Sequence, residues 1–126
     1  MSLSPNPNTL PQIIAALEQA ASVCVVGHVR PDGDCVGSQL GLGLALRAAG
    51  KEVSIWNEDP IPRKLSFLDP ERLLQQPKQG RAFELVVATD CATLDRLGRP
   101  GECIADRKLL INIDHHASNT LYGDIN

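Results

Sequence analysis

Several features that would assign this sequence to a special class of protein are missing. No apolar run approaches the roughly 20 residues that a membrane-spanning helix needs. The start of the chain, Met1 to Asn6, lacks the basic and apolar blocks of a signal peptide. Low-complexity tracts and internal repeats are also absent. We therefore expect a cytoplasmic protein that makes no membrane contact.

The cysteine spacing and the charge exclude further classes. The four cysteines form no Cys-x-x-Cys pair, so neither a zinc knuckle nor a thioredoxin-like motif is indicated, and we expect free thiols. The net charge of −3 argues against a broad electrostatic surface for nucleic acid. A nucleic-acid substrate must therefore be short or be bound by another part of the protein.

The composition that is present is that of one globular domain with a single core, at 126 residues with 43% hydrophobic and 21% charged residues. Apolar, β-branched runs alternate with helical patterns, which predicts right-handed βαβ units. We expect an α/β fold of three layers, in which helices flank a mostly parallel sheet. The expected elements are helices at about 10–21 and 36–49; strands at 22–27, 51–56 (an edge strand), 81–90 and 108–114; a helical turn at 64–68; a polar connection at 69–81; and short helical pieces at 94–98 and 100–106.

Three glycines interrupt the second predicted helix. Gly37, Gly41 and Gly43 would each lower its intrinsic stability by roughly 1 kcal/mol relative to alanine. Close packing of this helix on the sheet, or close approach of its backbone to a ligand, would explain why they are tolerated.

A loop between the first strand and the second helix carries an imidazole and two carboxylates. His28, Asp32 and Asp34 cannot share a helix face, because Pro31 blocks helical pairing and Gly33 favours a turn. The loop therefore wraps and lets nitrogen and oxygen donors converge, as a divalent cation requires. Asp-Gly-Asp is also common in solvated turns, so this loop alone does not establish a metal site.

Metal-competent residues follow three separate strands. His28 comes after the first strand, Asp90 ends the third, and Asp114 and His115 end the fourth. In open parallel sheets, ligands bind beyond the carboxyl ends of the strands. A shared metal site explains this placement better than coincidence, although each aspartate could instead cap a helix or form a turn, and each histidine could be structural.

These residues resemble the successive motifs of the DHH phosphoesterases. The motifs are His28-x-x-x-Asp32-x-Asp34-x-x-Gly37-Ser38, then Asp90 with Arg96 six residues on, then Asn112-Ile113-Asp114-His115-His116-x-x-Asn119. With the tail Tyr122-Gly123-Asp124-Ile125-Asn126, they look most like the bacterial nanoRNase/pAp-phosphatase branch related to RecJ. Three motifs in this order cover nearly the whole chain, which makes the resemblance highly specific.

The resemblance implies a phosphodiesterase and phosphomonoesterase that uses two Mn²⁺ (or Mg²⁺) ions. Its substrates would be short oligoribonucleotides, cut from 3′ to 5′, and 3′-phosphoadenosine 5′-phosphate. By position, His28, Asp32 and Asp90 would hold one ion, and Asp34, Asp90 and His115 the other. Two such ions can share an attacking hydroxide, and oxygen-rich ligands suit manganese or magnesium better than structural zinc.

Three further residues receive roles from the same resemblance. His116 would face the phosphate as a donor or general acid, and Asp114 would orient the histidines. Arg96 is a candidate phosphate contact. A surface salt bridge is an equal alternative for Arg96, and packing around the metal ligands is an alternative for His116.

The sequence departs from the family pattern at two points. A fourth aspartate for the second ion and a C-terminal substrate-binding domain are not found, so we expect residues 1–126 to be the N-terminal part of a DHH catalytic domain, possessing little activity alone. Cys35 replaces the usual small residue after Asp34. Cys35 and Cys91 each follow a candidate ligand and could bring sulfur near a metal, but packing is the favoured interpretation.

Other functions stay open at this point. A pyrophosphatase or a cyclic-dinucleotide phosphodiesterase of the same family would use the same ligands with a different substrate domain. A non-catalytic nucleotide-binding module is a third interpretation, against which the intact ligands count. A homodimer is compatible with all of them.

Overall fold

The sheet at the centre of the molecule consists of five parallel strands in the order β3-β2-β1-β4-β5. A computed structural model describes residues 9–126, and the signal-peptide prediction rests on residues that lie outside this range. The strands are β1 Ser22–Val26, β2 Glu52–Trp56, β3 Leu74–Gln75, β4 Phe83–Thr89 and β5 Arg107–Ile113. The helices are α1 Thr9–Gln19, α2 Gly33–Ala48 and α3 Arg99–Cys103, with 3₁₀ helices at Arg63–Leu68 and Leu94–Leu97.

Both faces of the sheet are covered, which confirms the predicted three-layer α/β fold. Because β1 and β4 are central parallel strands, their side chains are buried on either face. One face packs against α1 and α2 through Ile13 and Leu46. The opposite face packs against the segment between β4 and β5 through Leu97 and Ile104. None of the helices in residues 9–126 is long and apolar enough to cross a membrane.

Three of the predicted elements need correction. The strand at 51–56 does not lie at an edge, because β3 pairs with its outer side. β3 lies in the stretch predicted to be a polar connection, and its two residues are too few to show an alternating pattern. Helix α2 begins at Gly33, three residues before the predicted start, because Asp32 caps it by accepting a hydrogen bond from the Cys35 amide at 2.9 Å.

The strand order reverses beside β1. The chain runs outward from β1 through β2 to β3, and then returns to the other side of β1 as β4. Such a reversal opens a crevice at the carboxyl ends of the two central strands. His28 follows β1 and Asp90 follows β4, so both residues lie at this crevice.

A buried amide fixes α2 to the same end of the sheet. The fully buried Gln39 donates from Nε2 to the carbonyls of Val25 at 3.4 Å and Trp56 at 3.2 Å. A Cβ on Gly27 would lie 2.4 Å from the Gln39 amide oxygen, so any larger residue there would displace the Gln39 side chain. This close contact holds the start of α2, and with it the Asp32–Asp34 turn, over the end of β1.

The outer side of β5 is covered by the last residues of the chain. Ile125 forms a parallel bridge with Ile111. The Asn112 amide donates to the Ile125 carbonyl at 2.9 Å, and the Leu110 amide donates to the Asp124 carboxylate at 2.8 Å. These contacts also draw the third motif against the sheet.

Close packing on the sheet explains only one of the three helical glycines. A Cβ on Gly43 would lie 2.4 Å from Cδ1 of Ile55, which is buried in β2. A Cβ on Gly37 or Gly41 would meet nothing within 4 Å. The packing explanation is therefore confirmed for Gly43 and wrong for Gly37 and Gly41, for which close approach of the backbone to a ligand stays a prediction.

This difference gives a matched pair of substitutions. Gly43→Ala should destabilise the chain, because overpacking costs typically ~1–3 kcal/mol and outweighs the gain in helix propensity. Gly41→Ala should raise the free energy of unfolding by up to ~1 kcal/mol, since its site is exposed and open. Urea denaturation of both variants checks this, and equal stabilities would contradict the packing argument.

Candidate metal centre

Asp90 lies at the centre of the site. It directly follows β4, its side chain is only 6% exposed, and its amide donates to the Ile113 carbonyl at 3.0 Å. Its φ of 55° places it in the left-handed region, which side chains other than glycine and the short polar residues rarely adopt. This strained conformation is held by the neighbouring strand end and is typical of functional positions.

The carboxylate of Asp90 contacts three imidazoles. Its Oδ1 lies 2.9 Å from Nε2 of His115 and 3.9 Å from Nδ1 of His116. Its Oδ2 lies 3.5 Å from Nε2 of His28. Residues of the first and third motifs therefore contact Asp90, which is the aspartate of the second motif.

The orientation of His28 leaves one ring nitrogen free for a ligand. Its Nδ1 lies 2.7 Å from the Val29 carbonyl, which can only accept, so Nδ1 carries the proton. Its Nε2 lies 3.5 Å from Oδ2 of Asp90 and 3.8 Å from Oδ1 of Asp32. Fixing one nitrogen through a carbonyl is how proteins orient a metal-binding histidine.

His115 lies between two carboxylates. Its Nε2 is 2.9 Å from Oδ1 of Asp90 and 3.1 Å from Oδ2 of Asp34, although 70% of its side chain is exposed. The hydrogen bond with Asp90, helped by the negative charges of Asp90 and Asp34, raises the pKa of His115 above its ordinary value. In a chain without a cation, this imidazole is therefore readily protonated.

Asp114 holds His116 through a short contact. Its buried Oδ1 lies 2.5 Å from Nδ1 of His116, and its Oδ2 accepts from Nδ2 of Asn119 at 2.8 Å. Burial alone would raise the pKa of Asp114, but the hydrogen bonds from Asn119 and His116 hold it below the usual range. The carboxylate is thus ionised and keeps the proton on Nδ1 of His116.

A buried amide network supports this pair. Asn119 also donates to Oδ1 of Asn112 at 2.6 Å, and Asn112 donates to the Cys91 carbonyl at 3.1 Å. The hydroxyl of Tyr122 donates to the same carbonyl at 2.9 Å. Sequence reasoning gave no role to Asn112, Asn119 or Tyr122 beyond their place in the motifs. A buried asparagine flanked by apolar strand residues was the signal that could have identified Asn112.

Arg96 is not drawn into the cluster. Its side chain is exposed and makes no hydrogen bond or ion pair within residues 9–126. Its carbonyl accepts from the Val29 amide at 2.8 Å. The backbone of Arg96 therefore braces the loop that holds His28, and its guanidinium is free to contact a ligand.

In the described part of the chain, residues 9–126, two groups of side chains have the composition and spacing to hold a cation, and both include Asp90. In each group the ligand atoms all lie within 4.8 Å of one another. The groups are Asp90, Asp114, His115 and His116, and His28, Cys35 and Asp90. The predicted ligands Asp32 and Asp34 flank these groups, in contact with His28 and His115 respectively. Mixed imidazole and carboxylate donors fit a divalent metal.

The cysteines are free thiols, as predicted, and all four are buried. Burial raises the pKa of the Cys35 thiol to about 12, and its Sγ contacts the Gln39 amide oxygen at 3.5 Å. Burial also raises the pKa of Cys91, whose Sγ donates to the Thr93 carbonyl at 3.2 Å.

Comparison with known proteins identifies relatives of the chain. Residues 22–125 match the sequence profile of the DHH family, N-terminal domain. The chain is 39% identical over 116 residues to a bifunctional oligoribonuclease and PAP phosphatase NrnA of Thermus thermophilus, and 30% identical over 114 residues to the protein of the same name in Bacillus subtilis. These alignments cover 90% of the chain but only 33% and 35% of the relatives, so the chain spans about a third of their length.

A solved structure has the same fold. The crystal structure of an exopolyphosphatase-related protein from Bacteroides fragilis superposes with a TM-score of 0.86 over 99% of this chain and 39% of that one, at 22% identity. At this identity the likeness extends to the fold and no further.

The contact between Asp90 and His115 predicts a measurable titration. In the metal-free chain, His115 should titrate above the ordinary value of 6.5. Asp90→Asn removes the negative charge and should lower the pKa of His115, as measured by NMR titration of the ring signals. Glu71→Gln, which removes an exposed charge that pairs with Arg47, should leave the titration unchanged. An unaltered pKa in the Asp90 variant would contradict the assigned cause.

Proposed function

The chain belongs to the DHH family, and from this premise we propose that it is the metal-binding part of a phosphoesterase. Its substrates would be short oligoribonucleotides and 3′-phosphoadenosine 5′-phosphate. The observation that carries the proposal is the buried Asp90 carboxylate in contact with imidazoles from two other motifs. The names of the two relatives, oligoribonuclease and PAP phosphatase, support this choice of substrates.

We assign two sets of ligands for Mn²⁺ or Mg²⁺. His28, Asp32 and Asp90 would hold one ion, and Asp34, Asp90 and His115 the other. Contacts of 2.9 to 3.8 Å link the members of each set, which supports the assignment. When bound, two such ions supply an activated water and neutralise charge on the transferred phosphate.

The charge of the ligands explains why phosphate binding should require the ions. Asp32, Asp34 and Asp90 bring three negative charges to the crevice and would repel a phosphate. Two divalent ions would leave this position positive by about one unit. The ligand side chains therefore make binding of the substrate depend on prior binding of metal.

His116 is suited to donate a proton to the substrate. Asp114 holds a proton on Nδ1 and so fixes the orientation of the ring. When Nε2 also carries a proton, it can donate that proton to a phosphate or to a leaving oxygen. The guanidinium of Arg96, which makes no ion pair within the described residues 9–126, would supply a further phosphate contact from the neighbouring loop.

We further propose that residues 1–126 form the N-terminal part of the catalytic domain, and that substrate selection depends on a C-terminal domain outside them. The share of the relatives that the chain spans supports this division. The nucleotide base would then be recognised away from the metal centre described here.

Removal of Asp90 tests the activity in the full-length protein. Asp90→Ala should lower Mn²⁺-dependent hydrolysis of both substrates by roughly 100-fold or more, because loss of a shared ligand exceeds the 10–100-fold typical of outer-shell partners. Phosphate release and mononucleotide formation measure it, with Glu71→Gln as the control. A manganese-loaded protein that hydrolyses neither substrate would rule out the proposal.

Removal of the metal tests the charge argument in the 126-residue chain. After chelation, 3′-phosphoadenosine 5′-phosphate should show no measurable binding, and added Mn²⁺ should restore it. Isothermal titration calorimetry measures both states. Equal binding with and without metal would show that another part of the chain holds the phosphate.

A further inference from the structure

The first turn of α2 places a thiol against the proposed metal ligands. Sγ of Cys35, a ring nitrogen of His28 and a carboxylate oxygen of Asp90 lie within 4.8 Å of one another, and all three residues are buried. The proposed phosphoesterase uses His28 and Asp90 but gives no role to the thiol. This nitrogen, sulfur and oxygen set differs from the oxygen-rich set that suits manganese or magnesium.

The position of the thiol is set by the backbone around it. The Cys35 amide is held by Asp32, and a Cβ on Gly27 would lie only 2.6 Å from Sγ. Sγ donates to the Gln39 amide oxygen at 3.5 Å, a long contact from a weak donor, and the backbone of His28 also contacts the thiol. The thiol is thus directed at the end of β1 and is held there only weakly.

Buried polar atoms without partners flank the same place. Among the residues that the structure describes, the Thr89 hydroxyl and the Asn57 side-chain amide find no hydrogen-bond partner, although these residues are only 5% and 0% exposed. Val26 pairs with Ala88 on one side and Trp56 on the other, so the next residues, Thr89, Gly27 and Asn57, form a row across the sheet. Residues in register on neighbouring strands point to the same face, and Val25 and Val87, two positions earlier, pack with Leu46 of α2. This row therefore lies on the face that α2 and Cys35 cover. Buried polar groups of this kind are typical of positions that hold an ion or water.

We propose that Cys35 makes the His28–Asp90 position a site for a thiophilic divalent ion such as Zn²⁺ or Cd²⁺. The protein ligands would be Sγ of Cys35, Nε2 of His28 and carboxylate oxygens of Asp90 and Asp32. The thiol proton is released to solvent as the sulfur–metal bond forms. Tetrahedral zinc with bonds of about 2.3 Å to sulfur and 2.0 Å to nitrogen holds these two ligand atoms roughly 3.5 Å apart. The ligand atoms of Cys35, His28 and Asp90 would therefore move inward on binding, and Asp32, whose Oδ1 lies 3.8 Å from Nε2 of His28, would join them as the fourth ligand.

Four protein ligands change what the ion can do. Catalytic zinc sites keep one coordination position open, whereas structural sites fill all four. A thiophilic ion held by Cys35 would therefore leave no position for water or phosphate and would inhibit hydrolysis. The expected inhibition rests on the proposed phosphoesterase activity. The expected binding of the thiophilic ion does not depend on that activity.

Cadmium titration of the 126-residue chain tests the binding. Cd²⁺ should produce an ultraviolet thiolate-to-cadmium absorption band that saturates at one ion per chain. Cys35→Ser should weaken this binding at least about tenfold. Cys103→Ser, which removes another buried thiol outside the ligand groups, should change it less than about twofold. A band that persists in Cys35→Ser, or that is lost equally in Cys103→Ser, would overturn the inference.

Wild-type protein provides a test that does not depend on the folding of a variant. In a chain labelled with ¹³C and ¹⁵N, Cd²⁺ should shift the Cβ signal of Cys35 and the ring signals of His28. Unchanged signals at Cys35 in the cadmium-loaded chain would overturn the inference.

Zinc inhibition of the full-length protein tests the consequence for catalysis. Half-inhibition of Mn²⁺-dependent hydrolysis should require at least about tenfold more Zn²⁺ in Cys35→Ser than in wild type. If cadmium binds through Cys35 but no substrate is hydrolysed, the binding stands and the phosphoesterase proposal fails. If hydrolysis is normal and the Cys35 variant binds cadmium like wild type, the phosphoesterase proposal stands and the proposed thiophilic site fails.

Discussion

The arrangement of the site depends on one buried carboxylate. Asp90 is taken out of water at the end of β4 and must find partners there, because an unpaired buried charge is strongly unfavourable. Its partners are imidazoles that come from the loops after β1 and β5. The left-handed backbone at Asp90 turns the carboxylate towards both. A charge that would otherwise be a defect of the core thereby fixes three distant segments relative to one another.

Much of this site could be predicted because the relevant signals are local. An apolar strand followed by Asp or His is visible in the sequence, and parallel topology brings such strand ends to one edge. The contacts of Asp32, Asp34 and His115 agree with this reasoning. The roles of these residues as metal ligands stay a prediction.

The unpredicted features depend on long-range packing. The two residues of β3 have no periodicity of their own and pair only because β2 presents an open side. Gly43 and Gly41 are indistinguishable in the sequence, and only the position of Ile55 separates them. Likewise, the contact of Cys35 with His28 and Asp90 depends on how closely α2 approaches β1 at Gly27. The spacing of residues in the sequence does not determine such distances.

The coverage of the sheet margins has a consequence for the behaviour of the molecule in concentrated solution. Exposed strand edges act as templates on which other chains assemble, and that assembly leads to aggregates. Here one margin is the two-residue β3, and the other lies under the bridge between Ile111 and Ile125. The described part of the chain therefore offers little backbone to a neighbour, and self-association by strand addition is disfavoured at both sides of the sheet.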